Sequence, residues 1–375
     1  FFPGSLYNEK YIDRTGKAIE EIPFLSEIKP VEVEFFESSA DIFLYLKKKK
    51  ANHFNALLGV LPNSEKTGKL LFTGEVDFHL LNSIGRGESI RFVWRKNESA
   101  SQKLNIDLAY PFVLSSPIGL QYNLMIDKRD SSFLNVVNEL GFNYFLGKGN
   151  YFSAFYRTMS SSTLLNNLSA SDFADLNSNI FGIGFRFRRL DYLMNPRKGI
   201  LLESRIAYGN KKLKNINQLN ENDISNDILT QIEGMISVEK YFLIAQNFVL
   251  LLANHSEFIN NSVLFENELL KIGGHNSLRG FDEESIVASA YTIFTLEFRY
   301  LFEQNSNVFI FADGAYYEKN TVSGFLSDTP FGFGLGSSFQ TKAGIFTISY
   351  ALGKQFDNPV EIKNAKIHFG IVNYF

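Results

Sequence analysis

From residue 52 to the end of the chain there are about sixteen segments of roughly ten or more residues, in most of which apolar and polar side chains alternate with a period of two. In residues 179–190 one face carries Phe181, Ile183, Phe185 and Phe187, and the other Gly182, Gly184, Arg186 and Arg188. Residues 231–239 set Ile232, Gly234, Ile236 and Val238 against Gln231, Glu233, Ser237 and Glu239. Residues 104–110 set Leu104, Ile106, Leu108 and Tyr110 against Asn105, Asp107 and Ala109. Successive side chains of a strand point to opposite faces, so this alternation predicts strands. A soluble sandwich alternates too, but with shorter strands whose apolar faces pack on each other. Strands of about ten residues with an apolar outer face and a polar inner face suit a lipid-embedded barrel.

The connections between segments strengthen that choice. Every second one is tight: residues 82–87, 112–117, 147–149, 190–198, 245–246, 303–306 and 340–343. Several of the others are long and polar: residues 160–178, 210–227, 260–287, 318–329 and 353–366. Short turns on one rim and long loops on the other are the habit of bacterial outer-membrane barrels. The nine prolines fall at strand ends, in loops or in the first fifty residues, as a closed hydrogen-bonded wall requires. The expected fold is therefore all-β, a transmembrane antiparallel barrel of about 16 strands over residues 51–375.

Residues 1–50 read differently. Tyr11, Ile12, Thr15, Ile19 and Ile22 have helical spacing over residues 7–22, closed by Pro23. Two alternating strands, residues 29–37 and 41–49, follow around Ser38-Ser39. Helix followed by hairpin predicts a small α+β module that lacks its first strand. The lysine run 47–50 that ends it reads as a solvated strand end, and at a membrane face would also meet anionic headgroups.

Composition narrows the classes. The 375 residues contain no cysteine and carry a formal net charge of -3, so there is no disulfide framework, no thiolate metal site and no electrostatic case for nucleic acid. No stretch offers the roughly 18 apolar residues of a membrane-spanning helix. The nearest, residues 241–253, is interrupted by Gln246-Asn247, which reads as a turn between two strands. No signal peptide is visible and the chain begins without Met, as expected of a processed or trimmed product. His53, His79, His255, His275 and His368 are scattered, and none makes a Ser-His-acid set, so the expectation is no enzyme, no catalytic residue, no metal and no cofactor. Gly332, Gly334 and Gly336 lie within a strand with no helix after them, which excludes a phosphate cradle and leaves lumen space for an inserted loop.

The longest connection holds Gly273, Gly274, His275, Asn276, Ser277, Leu278, Arg279, Gly280 and Phe281. Its glycines allow a tight fold-back. Arg279 could pair locally with Asp282 or Glu283. If the connection folds into the lumen, as the resemblance described below implies, Arg279 would instead reach Glu297 and Asp313, which lie on strands whose neighbours Phe298, Tyr300, Ile310 and Ala312 face outward. In the latter case one planar guanidinium bridges two inward carboxylates.

These residues together resemble the BamA and TamA superfamily of outer-membrane assembly and translocation barrels. Residues 273–281 resemble the signature of that family's sixth extracellular loop, Gly-x-x-Ser-hydrophobic-Arg-Gly-aromatic, which folds into the lumen. Leu296-Glu297-Phe298-Arg299 is similar to its inward acidic position, and Phe311-Ala312-Asp313-Gly314 to its Phe-x-Asp motif. Residues 191–199, with Asn195-Pro196, resemble its turn before a strand. The terminal strand 368–375 resembles its recognition signal, with Asn373 where an apolar residue is usual.

The resemblance implies a lumen-loop lock of Gly274, Ser277, Leu278, Arg279, Gly280, Phe281, Glu297, Phe311, Asp313 and Gly314. It also implies a periplasmic polypeptide-transport-associated (POTRA) fragment over residues 1–50. The implied function is assembly of outer-membrane proteins. Client strands would be templated at the seam between residues 52–61 and 366–375, where Gly59, Gly370 and Phe375 are the candidate residues. Gly59 and Gly370 would weaken pairing or form bulges there. Expected partners are outer-membrane lipids, unfolded β-barrel clients, and periplasmic lipoproteins or chaperones. A two-partner polypeptide secretion pore is the nearer alternative and a passive porin the more distant one.

Overall fold

The computed structural model describes all residues except 1–3, 5, 13–14, 21, 23, 50, 63–69, 97–100, 165–171, 194, 215–227, 342–343 and 373–375. Among the described residues, the helix expected over residues 7–22 is represented by α1 (Glu9–Ile12) and α2 (Thr15–Glu20). The Thr15 hydroxyl donates to the Tyr11 carbonyl at 2.8 Å, and Ile19 is buried. The hairpin is formed by β1 (Leu25–Phe35) and β2 (Ala40–Lys48), so its first strand begins four residues earlier than the alternation indicated. Pro30 explains this: it lies inside β1 where the register is irregular between Lys29 and Glu32, a bulge that spares the missing N–H.

The barrel strands are β3 (His53–Pro62), β4 (Leu70–Leu81), β5 (Ser89–Lys96), β6 (Gln102–Tyr110), β7 (Ile118–Arg129), β8 (Phe133–Gly147) and β9 (Asn150–Thr163). They continue as β10 (Leu176–Leu190), β11 (Gly199–Leu213), β12 (Leu229–Ala245) and β13 (Phe248–Asn261). Two three-residue strands, β14 (Leu270–Ile272) and β15 (Ile286–Ala288), pair with each other inside the long connection. The wall resumes with β16 (Ala290–Glu303), β17 (Ser306–Thr321), β18 (Gly324–Asp328), β19 (Phe331–Thr341), β20 (Gly344–Lys354) and β21 (Lys366–Val372). The sheet is a closed barrel in which β21 neighbours β3. β18 and β19 both pair with β17 and act as one strand interrupted at buried Pro330. The connection expected over residues 318–329 is therefore mostly strand, with β17 and β18 joined by a tight turn.

Alternation sorts the wall. In β16, Phe294, Leu296, Phe298, Tyr300 and Phe302 are exposed, whereas Tyr291, Ile293, Glu297 and Leu301 are buried. In β10, Phe181 and Ile183 are exposed while Ile180 is buried. Large aromatic and aliphatic side chains thus cover the outside, an arrangement suited to hydrocarbon and not to water.

The inside is packed at two levels. Ile272, Leu278, Phe281, Ile286 and Ala288 of the long connection meet Tyr291, Ile293, Ala315 and Tyr317 of the wall in one buried cluster. A second cluster, Tyr241, Val249, Leu251 and Leu301, lies toward the rim of short turns. There the 191–198 turn folds inward. Asp191 Oδ1 accepts from the backbone N–H groups of Tyr192, Arg197 and Lys198, each at 3.0 Å, and Asn195 Nδ2 donates to the Gln304 carbonyl at 2.7 Å.

Candidate functional site

The long connection enters the lumen on the β14–β15 ladder and turns over residues 273–285. Gly273 and Gly274 take φ of 111° and 101°, which glycine adopts without strain. A side chain at Gly274 would overlap the Glu283 carboxylate. Ser277 closes the turn: Oγ accepts from Gly273 N–H at 2.9 Å and donates to the Gly273 carbonyl at 3.0 Å. Leu278 is fully buried in the lumen cluster, and Phe281 joins it there.

Between these two anchors Arg279 meets the wall. Its Nε and Nη2 donate to Asp313 Oδ2 and Oδ1, both at 2.7 Å, and its Nη1 donates to Glu297 Oε2 at 2.5 Å. The Arg279 backbone N–H adds a bond to Asp313 Oδ2 at 3.2 Å. The guanidinium carbon lies 3.6 Å from the centre of the Phe311 ring, so a cation–π contact closes its remaining face. Each carboxylate has a further donor: Thr295 Oγ1 to Asp313 at 2.9 Å, and Arg299 Nε to Glu297 at 2.7 Å. Arg299 also donates to Asn195 Oδ1 at 3.1 Å, which links the site to the inward-folded turn. All three principal charges are at least nine-tenths buried, and Asp313 is only 1 % exposed. A bidentate pair in that setting is short and geometrically demanding.

Small residues make the approach possible. A side chain at Gly332 would overlap the Arg279 carbonyl, and one at Gly336 would overlap the Phe309 ring. Gly280 has φ of 95°, and an added Cβ would lie 2.7 Å from the Leu352 carbonyl oxygen. Gly314 is not part of this arrangement. It follows Asp313 on the opposite face of β17, and an added Cβ would meet nothing within 4 Å.

The loop also touches the last strand. Gly280 N–H donates to His368 Nε2 at 3.3 Å, Asp282 pairs with Lys366 at 2.7 Å, and the His275 and His368 rings lie 6.1 Å apart. An added Cβ at Gly370 would lie 3.1 Å from His275 Nε2, so this glycine makes room for the loop. The bulges considered at the seam are not found in the flanking ladders. Register is continuous through Gly370 against β20 and through Gly59 against β4. Phe375 lies outside the described residues.

Four loop anchors escaped the sequence. Glu284 pairs with Lys103 and Arg129, and Lys271 with Asp127, on the far wall. Glu268 pairs with Lys211, and Asn267 bonds to residues of β8 and β9. The available signal was an inward lysine after the small inward residues Ala207 and Gly209, which marks space for an incoming chain.

Residues 82–375 match the Omp85 superfamily domain. No match was found among curated protein sequences. Among solved structures, the chain is similar to BamA from Haemophilus ducreyi lacking POTRA domains 1-3, at TM-score 0.57 and 14% identity, over 98% of this chain and 79% of that one. It is also similar to CdiB from Acinetobacter baumannii, at TM-score 0.61 and 15% identity over 98% and 69%. For CdiB from Escherichia coli the values are TM-score 0.62 and 14% identity over 98% and 72%. With most of its length matched by that one family, the chain is a member of the Omp85 superfamily of outer-membrane β-barrels.

Proposed function

We propose that this barrel is an outer-membrane protein assembly factor that templates client β-strands at the seam between β3 and β21. A client strand entering hydrocarbon needs partners for its backbone N–H and C=O groups, each worth several kcal/mol. An edge released from the seam supplies them by strand addition, with no covalent chemistry, nucleotide or cofactor. The observation that carries this reading is the joint between the lumen loop and β21, made by Gly280, His275 and Asp282 with His368, Gly370 and Lys366. The loop enters the lumen and contacts one edge of the seam, which suits work at the wall better than transport through the pore.

In this reading residues 1–50 form a periplasmic POTRA fragment and residues 51–375 the barrel. The partners are outer-membrane lipids, unfolded barrel clients, and periplasmic lipoproteins or chaperones. Similarity to the two CdiB structures supports a second reading, polypeptide secretion of the two-partner type. A passive porin gives no role to a loop tied to one edge of the seam.

Reconstitution into liposomes separates these readings. An assembly factor accelerates the folding of an added unfolded barrel client, scored by heat-modifiable mobility. A secretion pore leaves that rate unchanged and passes a polypeptide into the lumen of the vesicle, and a porin only conducts.

A further inference from the structure

The first arm of the lumen loop, residues 262–269, has its own set of anchors that shares no residue with the Arg279 contact. Lys211 of β11 is completely buried, and its ammonium donates to both Glu268 carboxylate oxygens, at 2.7 and 2.9 Å, and to the Val263 carbonyl. Glu268 Oε1 accepts in addition from Phe265 N–H at 2.9 Å, and the Phe265 ring is fully buried beside the lysine.

The neighbouring Asn267 bonds through both side-chain polar atoms and its carbonyl. Its Nδ2 donates to Ser161 Oγ at 2.6 Å and to the Ala174 carbonyl at 2.8 Å, its Oδ1 accepts from Ala174 N–H at 3.3 Å, and its carbonyl accepts from Asn135 Nδ2 at 2.7 Å. Asn135 and Ser161 are themselves bonded at 2.5 Å. On the far side Glu266 pairs with Lys319 of β17, and the Leu264 carbonyl accepts from Val322 N–H at 3.0 Å. The arm is thus tied to β8, β9, β11 and β17, spanning about half the circumference in strand order.

A completely desolvated ion pair is tolerated only where geometry and further hydrogen bonds satisfy both partners, and it is a poor way to gain stability alone. Its best-attested use is to fix one arrangement over others. Here the arrangement fixed is a chain segment across the lumen near the rim of long connections, held chiefly on β8, β9 and β11, while the apex at Arg279 is fixed by β16 and β17; the two share β17 but no residue.

We propose that Lys211, Glu268 and Asn267 are positioning residues of a second, independent closure of the lumen, a seal that stays shut when the Arg279 contact lets go. The proposal rests on the assembly reading only in holding that the seam can work with the seal closed; the seal itself is a property of the barrel. It separates two tasks that a single loop lock would combine, keeping the membrane tight and gating the seam.

The test is planar-bilayer conductance of purified, heat-modifiable barrels carrying Arg279→Ala, Asn267→Ala, or the pair Lys211→Met with Glu268→Leu, which removes both charges together. Folding of each is verified by gel mobility. The expected result is conductance close to the parent for Arg279→Ala and a several-fold rise in open-channel current for the other two. Client assembly in liposomes, measured in parallel, is lost in Arg279→Ala and kept in the seal variants. A rise in Arg279→Ala equal to that of the seal variants overturns the proposal, as does parental conductance in both seal variants. If no variant, nor the parent, assembles a client, the function proposed above fails while the conductance comparison still decides the seal.

Discussion

Arg279 sits where a small change has a large electrostatic consequence. Removing it leaves Asp313 buried without the cation that pairs with it and Glu297 with Arg299 alone, a loss on the order of 3 to 5 kcal/mol at the loop. Arg279→Ala should therefore expose the loop to protease while the barrel keeps its heat-modifiable mobility, and Asp313→Ala should behave alike. Arg279→Lys should rescue little, because one ammonium cannot reproduce the fork to Asp313, the bond to Glu297 and the face on Phe311 together. A loop as protected in Arg279→Ala as in the parent would show that these contacts do not hold it.

His275 adds a pH dependence. Burial, reinforced by the Arg279 charge, pushes its imidazole below the ordinary value of 6.5. The docked loop then holds fewer protons than the released one, so docking is complete above the ordinary imidazole range and weakens as pH falls through it. Protease protection should decline between neutral and mildly acid pH, and His275→Gln should flatten that decline. An unchanged decline in His275→Gln would assign it to another group. At this scale the Arg279 partners were legible because the loop and strand motifs resemble the family's, and strand parity agrees in placing Glu297 and Asp313 inward. For Lys211 the one available signal was its inward parity behind Ala207 and Gly209, and its partner Glu268, 57 residues away on a loop, leaves no period in the sequence.

Among the elements, β19 makes the clearest demand. Gly332, Gly334 and Gly336 all face inward, and side chains there would overlap the Arg279 carbonyl, the Tyr350 carbonyl and the Phe309 ring respectively. Their spacing within a strand was readable as lumen space, although the atoms that fill it were not. Gly332→Val should displace the loop as Arg279→Ala does, with no charge removed. Parental loop protection in Gly332→Val would mean that the loop approaches the wall less closely than described. The β17–β18 hairpin misled the reading of connections, because polar residues 318–329 continue the ladder beyond the apolar band before Pro330 interrupts it.

For the molecule as a whole, the barrel was legible because a closed wall imposes one period on most of the chain and forces connections to alternate between two rims. What the wall does was less legible, since assembly and secretion use the same wall and differ in which surface moves. The account places the work at the β3–β21 seam. With no cysteine in the chain, pairs of cysteines introduced across β3 and β21 can lock that seam specifically. The decisive measurement is the rate of client assembly in liposomes before and after oxidation, and after reduction, with barrel fold monitored by gel mobility. The account predicts that oxidation abolishes assembly and reduction restores it in a barrel that stays folded throughout. Undiminished assembly with the seam fully cross-linked would contradict it.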